Sequence, residues 1–245
     1  MMQLIQLFLM SSLVAYSILV TYPLAFRKMS GRRYQLFNGI ALGILIYLIM
    51  DIFSGTYTLL DDSPILSFLF IVPFVLSYFG FHLYSSMRVS GVSNEKYAET
   101  VSLIISLGIG LQNFTEGLAI GGSLRLGLST VLIPLVVGLT LQNVTEGFPI
   151  ASPFLKTGVE KERTYLLYMY LLGGSPTLLG SLLSYVLAST PLVVVFNALA
   201  MGGILFVALE MYKGMVKHSD QSLRNVAEVG IAIGIVITFL VNLLP

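Results

Sequence analysis

Long runs of apolar residues, separated by short polar segments, organise the whole chain. A hydrocarbon core about 30 Å thick needs roughly 20 apolar residues per helix, and eight runs meet that length within a few residues. The predicted spans are 4–26, 36–53, 65–87, 98–121, 129–154, 165–188, 191–212 and 225–244. The pattern therefore predicts an all-α membrane protein with eight transmembrane helices, in which residues 1–245 form a single transmembrane domain in the lipid bilayer.

Composition supports a membrane protein and limits the chemistry. Hydrophobic residues make up 56% of the 245 residues and charged residues only 10%, which is far too little charge for a soluble domain of this length. The net charge of +1 offers no basis for binding nucleic acid. Cysteine is absent, so any metal site must use oxygen or imidazole ligands.

The basic residues predict the orientation of the spans. Twelve Lys and Arg residues fall in the first, third, fifth and seventh loops, whereas Arg125 is the only one on the other side. Short cytoplasmic loops carry the excess of positive charge. Because eight spans is an even number, we predict that both termini lie outside and that the protein crosses the cytoplasmic membrane several times.

A polar motif is repeated inside two of the apolar runs. Gln-Asn-Phe-Thr-Glu-Gly at 112–117 recurs thirty positions later as Gln-Asn-Val-Thr-Glu-Gly at 142–147. Side chains three and four residues apart share a helix face, so each Glu lies beside the Gln and Asn of its own copy. Carboxylates at membrane depth are costly and usually mark an ion path. We predict an inverted repeat that forms a cation site at the midplane of the membrane. The alternative is that these side chains have only a structural role and form hydrogen bonds between the helices.

The histidines argue against an intramembrane metalloprotease. That class uses a His-Glu-x-x-His motif on one helix, whereas this chain has only His82 and His218, 136 residues apart. We expect no enzymatic activity and no prosthetic group.

The repeated motif resembles the signature of the ZIP family of divalent metal transporters, His-Asn-x-Pro-Glu-Gly followed by a related motif on the next helix. The stretch from Asn197 to Glu210 is also similar to the family's small-residue run that ends in a carboxylate near the cytoplasmic end. The resemblance implies eight spans with outside termini and transport of a divalent metal cation, with the metal ion as the substrate.

Carried over position by position, the resemblance implies two metal positions, formed by Gln112, Glu116, Gln142 and Glu146 and by Asn113, Asn143 and Glu146. The family's carboxylate on the sixth helix corresponds here to Ser175, directly before Pro176. Imidazole suits zinc, whereas carboxylate and amide oxygens suit harder ions. We therefore expect one well-occupied position, with Mn²⁺ or Fe²⁺ competing with Zn²⁺.

Other residues leave two interpretations open. Glu210 is either an exit ligand or the partner of Lys213, and Asp51, predicted near the outer end of the second span, is a candidate for attracting cations at the entrance. Gly230 and Gly234 have the spacing of a homodimer contact, which also serves packing within one bundle. The alternative to a transporter is a ZIP-like sensor or assembly subunit that has lost part of its metal site.

Overall fold

The protein is helical in the computed structural model, which describes residues 2–27, 29, 31–89, 93–125, 129–155, 163–187, 189–217 and 220–243. These residues contain no β-strand, which confirms the all-α prediction. The α-helices are α1 (Met2–Ser17), α2 (Gly31–Leu60), α3 (Pro64–Val89), α4 (Asn94–Arg125), α5 (Ser129–Ala151), α6 (Arg163–Gly174), α7 (Pro176–Val186), α8 (Thr190–Lys217) and α9 (Gln221–Asn242). Two 3₁₀ segments, Ile18–Phe26 and Ser152–Phe154, follow α1 and α5.

Helices long and apolar enough to cross a membrane dominate the fold. Within the described ranges there are seven such spans: α1 with its 3₁₀ extension, α2, α3, α4, α6 together with α7, α8, and α9. Helix α5, which carries the second polar motif, is not one of them. Its 23 residues nevertheless correspond to about 35 Å of helix. The fold is therefore that of a multi-helix bundle compatible with a membrane.

Helix α2 is longer than the predicted span at 36–53, because it extends from Gly31 to Leu60. Polar residues in its last turns interrupt the apolar run but not the helix, and the Thr56 hydroxyl donates to the Ile52 carbonyl inside the same helix at 2.6 Å. Asp51 consequently lies nine residues before the end of α2. The helix therefore continues past the predicted end of the span at residue 53, and Asp51 does not lie at the end of α2.

The first and sixth predicted spans are interrupted. The span at 4–26 changes from α-helix to 3₁₀ helix at Ile18, and the span at 165–188 consists of α6 and α7, which meet at Ser175. Pro176 has no backbone N–H, so the Leu172 carbonyl loses the donor that would continue α6. By contrast, α4 and α5, which carry the two motif copies, are continuous, and irregular backbone is confined to the short 3₁₀ turn that follows α5.

Helix α4 occupies the centre of the bundle. Of its most apolar window 67% is buried, compared with 6% for α3, which lies at the periphery. Helix α4 packs against α7 and α8, α5 packs against α1 and its 3₁₀ extension, and the outer pairs are α2 with α9 and α3 with α8. Let α4 be exchanged for α5, α2 for α8, α3 for α9, and the first span for α6 with α7. The pairing of α4 with α7 then maps onto that of α5 with the first span, and the pairing of α2 with α9 maps onto that of α8 with α3. The inverted relation thus extends beyond the motif into the surrounding helices.

Close glycine contacts join α2 to α9. A Cβ on Gly39 would meet the Ala227 carbonyl, and a Cβ on Gly234 would meet the Ile40 carbonyl. Gly230 likewise faces the Leu36 carbonyl. The glycine spacing on α9 therefore serves packing within this chain, which was one of its two interpretations.

Candidate cation site between α4 and α5

Four hydrogen bonds between amides and carboxylates connect the polar side chains of the motif copies, and two of them join one copy to the other. The Gln112 Nε2 donates to Glu116 Oε1 and to Glu146 Oε1, both at 3.1 Å. The Gln142 Nε2 donates to the same two oxygens, both at 2.8 Å. Two of these bonds join residues four apart on one helix, and the other two cross between α4 and α5. We call these four side chains the amide–carboxylate ring.

The ring lies inside the protein. Glu146 is completely buried, and Gln112 and Gln142 are 3% and 4% exposed. Glu116 is partly exposed as a residue, but its Oε2 atom is buried. The two carboxylates therefore share one internal site and do not face lipid on separate surfaces.

Several oxygens in and beside the ring have no hydrogen-bond partner although they are buried. They are Gln112 Oε1, Asn113 Oδ1, Glu116 Oε2, Asn143 Oδ1 and Glu146 Oε2. When both carboxylates are ionised, each of these oxygens is only an acceptor, so they cannot satisfy one another. Buried polar atoms without partners are rare and costly. A cation is the kind of ligand that would satisfy such a set.

The asparagines hold the two helices against interrupted neighbours in matching ways. Asn113 donates through Nδ2 to the Gly173 carbonyl at 3.0 Å, and Asn143 donates to the Val14 carbonyl at 2.9 Å. Gly173 lies just before the junction of α6 and α7, and Val14 lies near the end of α1. Each Asn therefore uses its N–H group for anchoring and keeps its oxygen beside the ring.

Glycines next to the glutamates allow the neighbouring backbones to approach closely. A Cβ on Gly117 would meet the Thr177 carbonyl of α7, and a Cβ on Gly147 would meet Thr21 and Ile18 of the first 3₁₀ segment. The last residue of each motif copy therefore has a packing role, which keeps the preceding Glu at a tight helix contact.

Tyr170 is a site residue that sequence reasoning missed. It is completely buried, and its hydroxyl donates to the Gly147 carbonyl at 2.7 Å and lies 3.3 Å from Thr21 Oγ1. A buried Tyr usually finds a partner for its hydroxyl, but nothing in the sequence distinguishes Tyr170 from Tyr168, which is 61% exposed. Tyr170 links α6 to α5 directly after Glu146.

Replacing Tyr170 with Phe should destabilise the protein by about 1–2 kcal/mol, because a buried carbonyl loses a donor while the ring volume is kept. Thermal unfolding in detergent measures the change. Tyr168→Phe, at an exposed position of the same helix, is the matched control and should unfold at the parent temperature. Equal unfolding temperatures for the two variants would contradict the proposed link.

The remaining predicted residues occupy different places. Ser175 forms the junction of α6 and α7, whereas Glu116 and Glu146 accept their bonds from Gln112 and Gln142. Glu210 accepts from Lys213 Nζ at 2.8 Å, so the salt bridge is formed.

Asp51 of α2 is exposed, and its charge is within electrostatic range of Glu116 and Glu146. Among the described residues, however, no three His, Cys, Asp or Glu side chains converge to hold a metal ion. Asp51 is therefore not a third ligand in this arrangement.

No family model matches this chain, and no curated protein sequence matches it. The assignment of a function therefore depends on the geometry of the ring and on the resemblance of its motifs.

Proposed function

We propose that this protein transports divalent metal cations across the membrane, into the cytoplasm, through a site between α4 and α5. The observation that carries the proposal is the set of five buried, unpartnered oxygens at the amide–carboxylate ring. Two of these oxygens belong to carboxylates, whose combined charge neutralises one divalent ion. A buried charge requires such compensation, and a set of unpartnered atoms that are all acceptors favours a positive ligand.

The donor chemistry supports a hard or borderline ion as the substrate. Carboxylate and amide oxygens suit Mn²⁺ and Fe²⁺ better than imidazole or thiolate would, and the site contains neither of the latter in the residues that the structure describes. We propose one well-occupied position, with Zn²⁺ as a competing substrate. The metal is cargo, and no prosthetic group, nucleic acid partner or enzymatic reaction is part of the proposal.

The membrane arrangement that accompanies this function has eight spans, namely the seven described above and α5. Both termini lie outside the cytoplasmic membrane. The distribution of basic residues supports it, as does the similarity of the two motifs and of the stretch ending in Glu210 to the ZIP family. A homodimer is a further proposal. Gly230 and Gly234 would not form its contact, because both pack against the backbone of α2 in the same chain.

One observation favours a second candidate function. Ser175 stands where the resemblance implies an additional carboxylate, so the site has one anionic group fewer than the family pattern. A ZIP-like sensor or assembly subunit would bind a metal through the ring without transporting it.

Uptake into proteoliposomes tests the proposal. Purified protein is reconstituted, and uptake of Mn²⁺, Fe²⁺ and Zn²⁺ is compared with that of protein-free vesicles. We expect uptake of Mn²⁺ and Fe²⁺ to exceed that of Zn²⁺, because the ligands are oxygens. Transport of zinc alone would contradict the ion preference, and metal binding without uptake would favour the sensor.

A further inference from the structure

The orientation of the two ring amides follows from their surroundings. Each Gln Nε2 lies 2.8–3.1 Å from one oxygen of each carboxylate. If either amide were rotated, its oxygen would face two carboxylate oxygens at that distance, which is repulsive. A primary amide has two N–H hydrogens, and each amide here uses one for Glu116 and one for Glu146.

We propose that Gln112 and Gln142 are positioning residues, whose N–H groups hold the two carboxylates together and leave both Oε2 atoms free to bind the cation. This inference rests on the proposed function and changes the ligand set that the resemblance implies. Gln142 then acts through the glutamates. Its Oε1 is not among the buried unpartnered oxygens, whereas that of Gln112 is.

The chemistry of the amide explains why Gln is suited to this position. Two carboxylates in one buried site repel each other, and four N–H groups oppose that repulsion without adding charge. A carboxylate at 112 or 142 would offer no N–H, and an imidazole nitrogen carries at most one. Among uncharged side chains, a primary amide is the one that carries two hydrogens on one nitrogen and can donate to both glutamates at once.

Amides and carboxylates alternate around the ring, so exchanging them provides a test of their roles. Every one of the four bonds joins a residue of the pair Gln112 and Gln142 to a residue of the pair Glu116 and Glu146. Exchanging Gln and Glu on both helices therefore restores all four bonds with the donors reversed. Exchanging them on α4 alone keeps two bonds and creates one amide–amide and one carboxylate–carboxylate contact.

The experiment compares three proteins of identical composition. They are the parent chain, the one-helix exchange (Gln112→Glu with Glu116→Gln), and the two-helix exchange, which adds Gln142→Glu with Glu146→Gln. Unfolding temperature is measured in chelator, and Mn²⁺ binding is then measured by electron paramagnetic resonance. We expect the one-helix exchange to unfold about 10 °C below the parent and to bind Mn²⁺ about tenfold more weakly.

The two-helix exchange should recover most of both losses, and failure of the one-helix exchange alone to fold would also support the ring. A two-helix exchange that is no better than the one-helix exchange in either measurement, or that does not fold, overturns the positioning role. The measurement in chelator needs no metal, so it decides this inference separately. Absence of Mn²⁺ binding by the parent chain would instead count against the proposed function.

Discussion

Glu146→Gln is expected to reduce cation uptake by at least about 100-fold, a larger loss than the 10- to 100-fold typical of residues that only support a ligand. The change removes one of the two negative charges at the site and places a third amide among the N–H donors of Gln112 and Gln142. Glu146 is completely buried, so no water replaces the lost charge. Uptake of Mn²⁺ by proteoliposomes measures the effect, and Glu116→Gln should cause a similar loss.

The matched control is Glu228→Gln, the same change at an exposed carboxylate of α9. It should leave uptake at the parent level. Thermal unfolding of the variants in detergent separates loss of binding from loss of fold. If Glu116→Gln and Glu146→Gln both transport like the parent, the ring is not the transport site and the proposal of a cation path through it is wrong.

Gly117→Val should lower the unfolding temperature by about 10 °C and remove most uptake. A Cβ at this position would meet the backbone carbonyl of Thr177, and backbone cannot move aside as a side chain end can. Overpacking of this kind costs about 3 kcal/mol, which corresponds to about 10 °C in a chain of this size. Because Gly117 follows Glu116 directly, separating α4 from α7 also displaces that carboxylate from the ring.

Gly80→Val is the control for this prediction, because a Cβ on Gly80 of α3 has no atom within 4 Å. Both changes introduce the same side chain into a helix, so they share any loss of intrinsic helix propensity. Only the first creates a clash between helices. Unfolding at the same temperature in both variants would show that α4 and α7 do not approach each other as closely as described.

The motif copies show how much of the site helix periodicity can predict. The spacing of Gln, Asn and Glu predicted one polar face on each of two helices, and the structure brings these faces together. Periodicity does not say which atom of an amide faces a carboxylate. The resemblance therefore implied Gln142 as a metal ligand, whereas its nitrogen, paired with both glutamates, points to a positioning role.

Asp51 and Ser175 show that hydropathy does not predict where a helix ends or is interrupted. The end of α2 was misplaced because hydropathy marks where a chain is apolar, whereas a helix continues for as long as its backbone bonds are made. The junction of α6 and α7 has a local signal in Pro176, but its position against Asn113 depends on contacts between residues distant in the sequence.

The sequence by itself determined that this protein is helical, apolar and equipped with a duplicated carboxylate–amide motif, since composition and periodicity are local properties. Only the tertiary structure decided that the two copies share one internal site. It also decided that the Tyr170 hydroxyl donates a hydrogen bond to α5 and that the glycines of α9 pack against α2. These features depend on which distant helices pack together, and packing follows the shapes of complete helix surfaces, which no short stretch of sequence specifies.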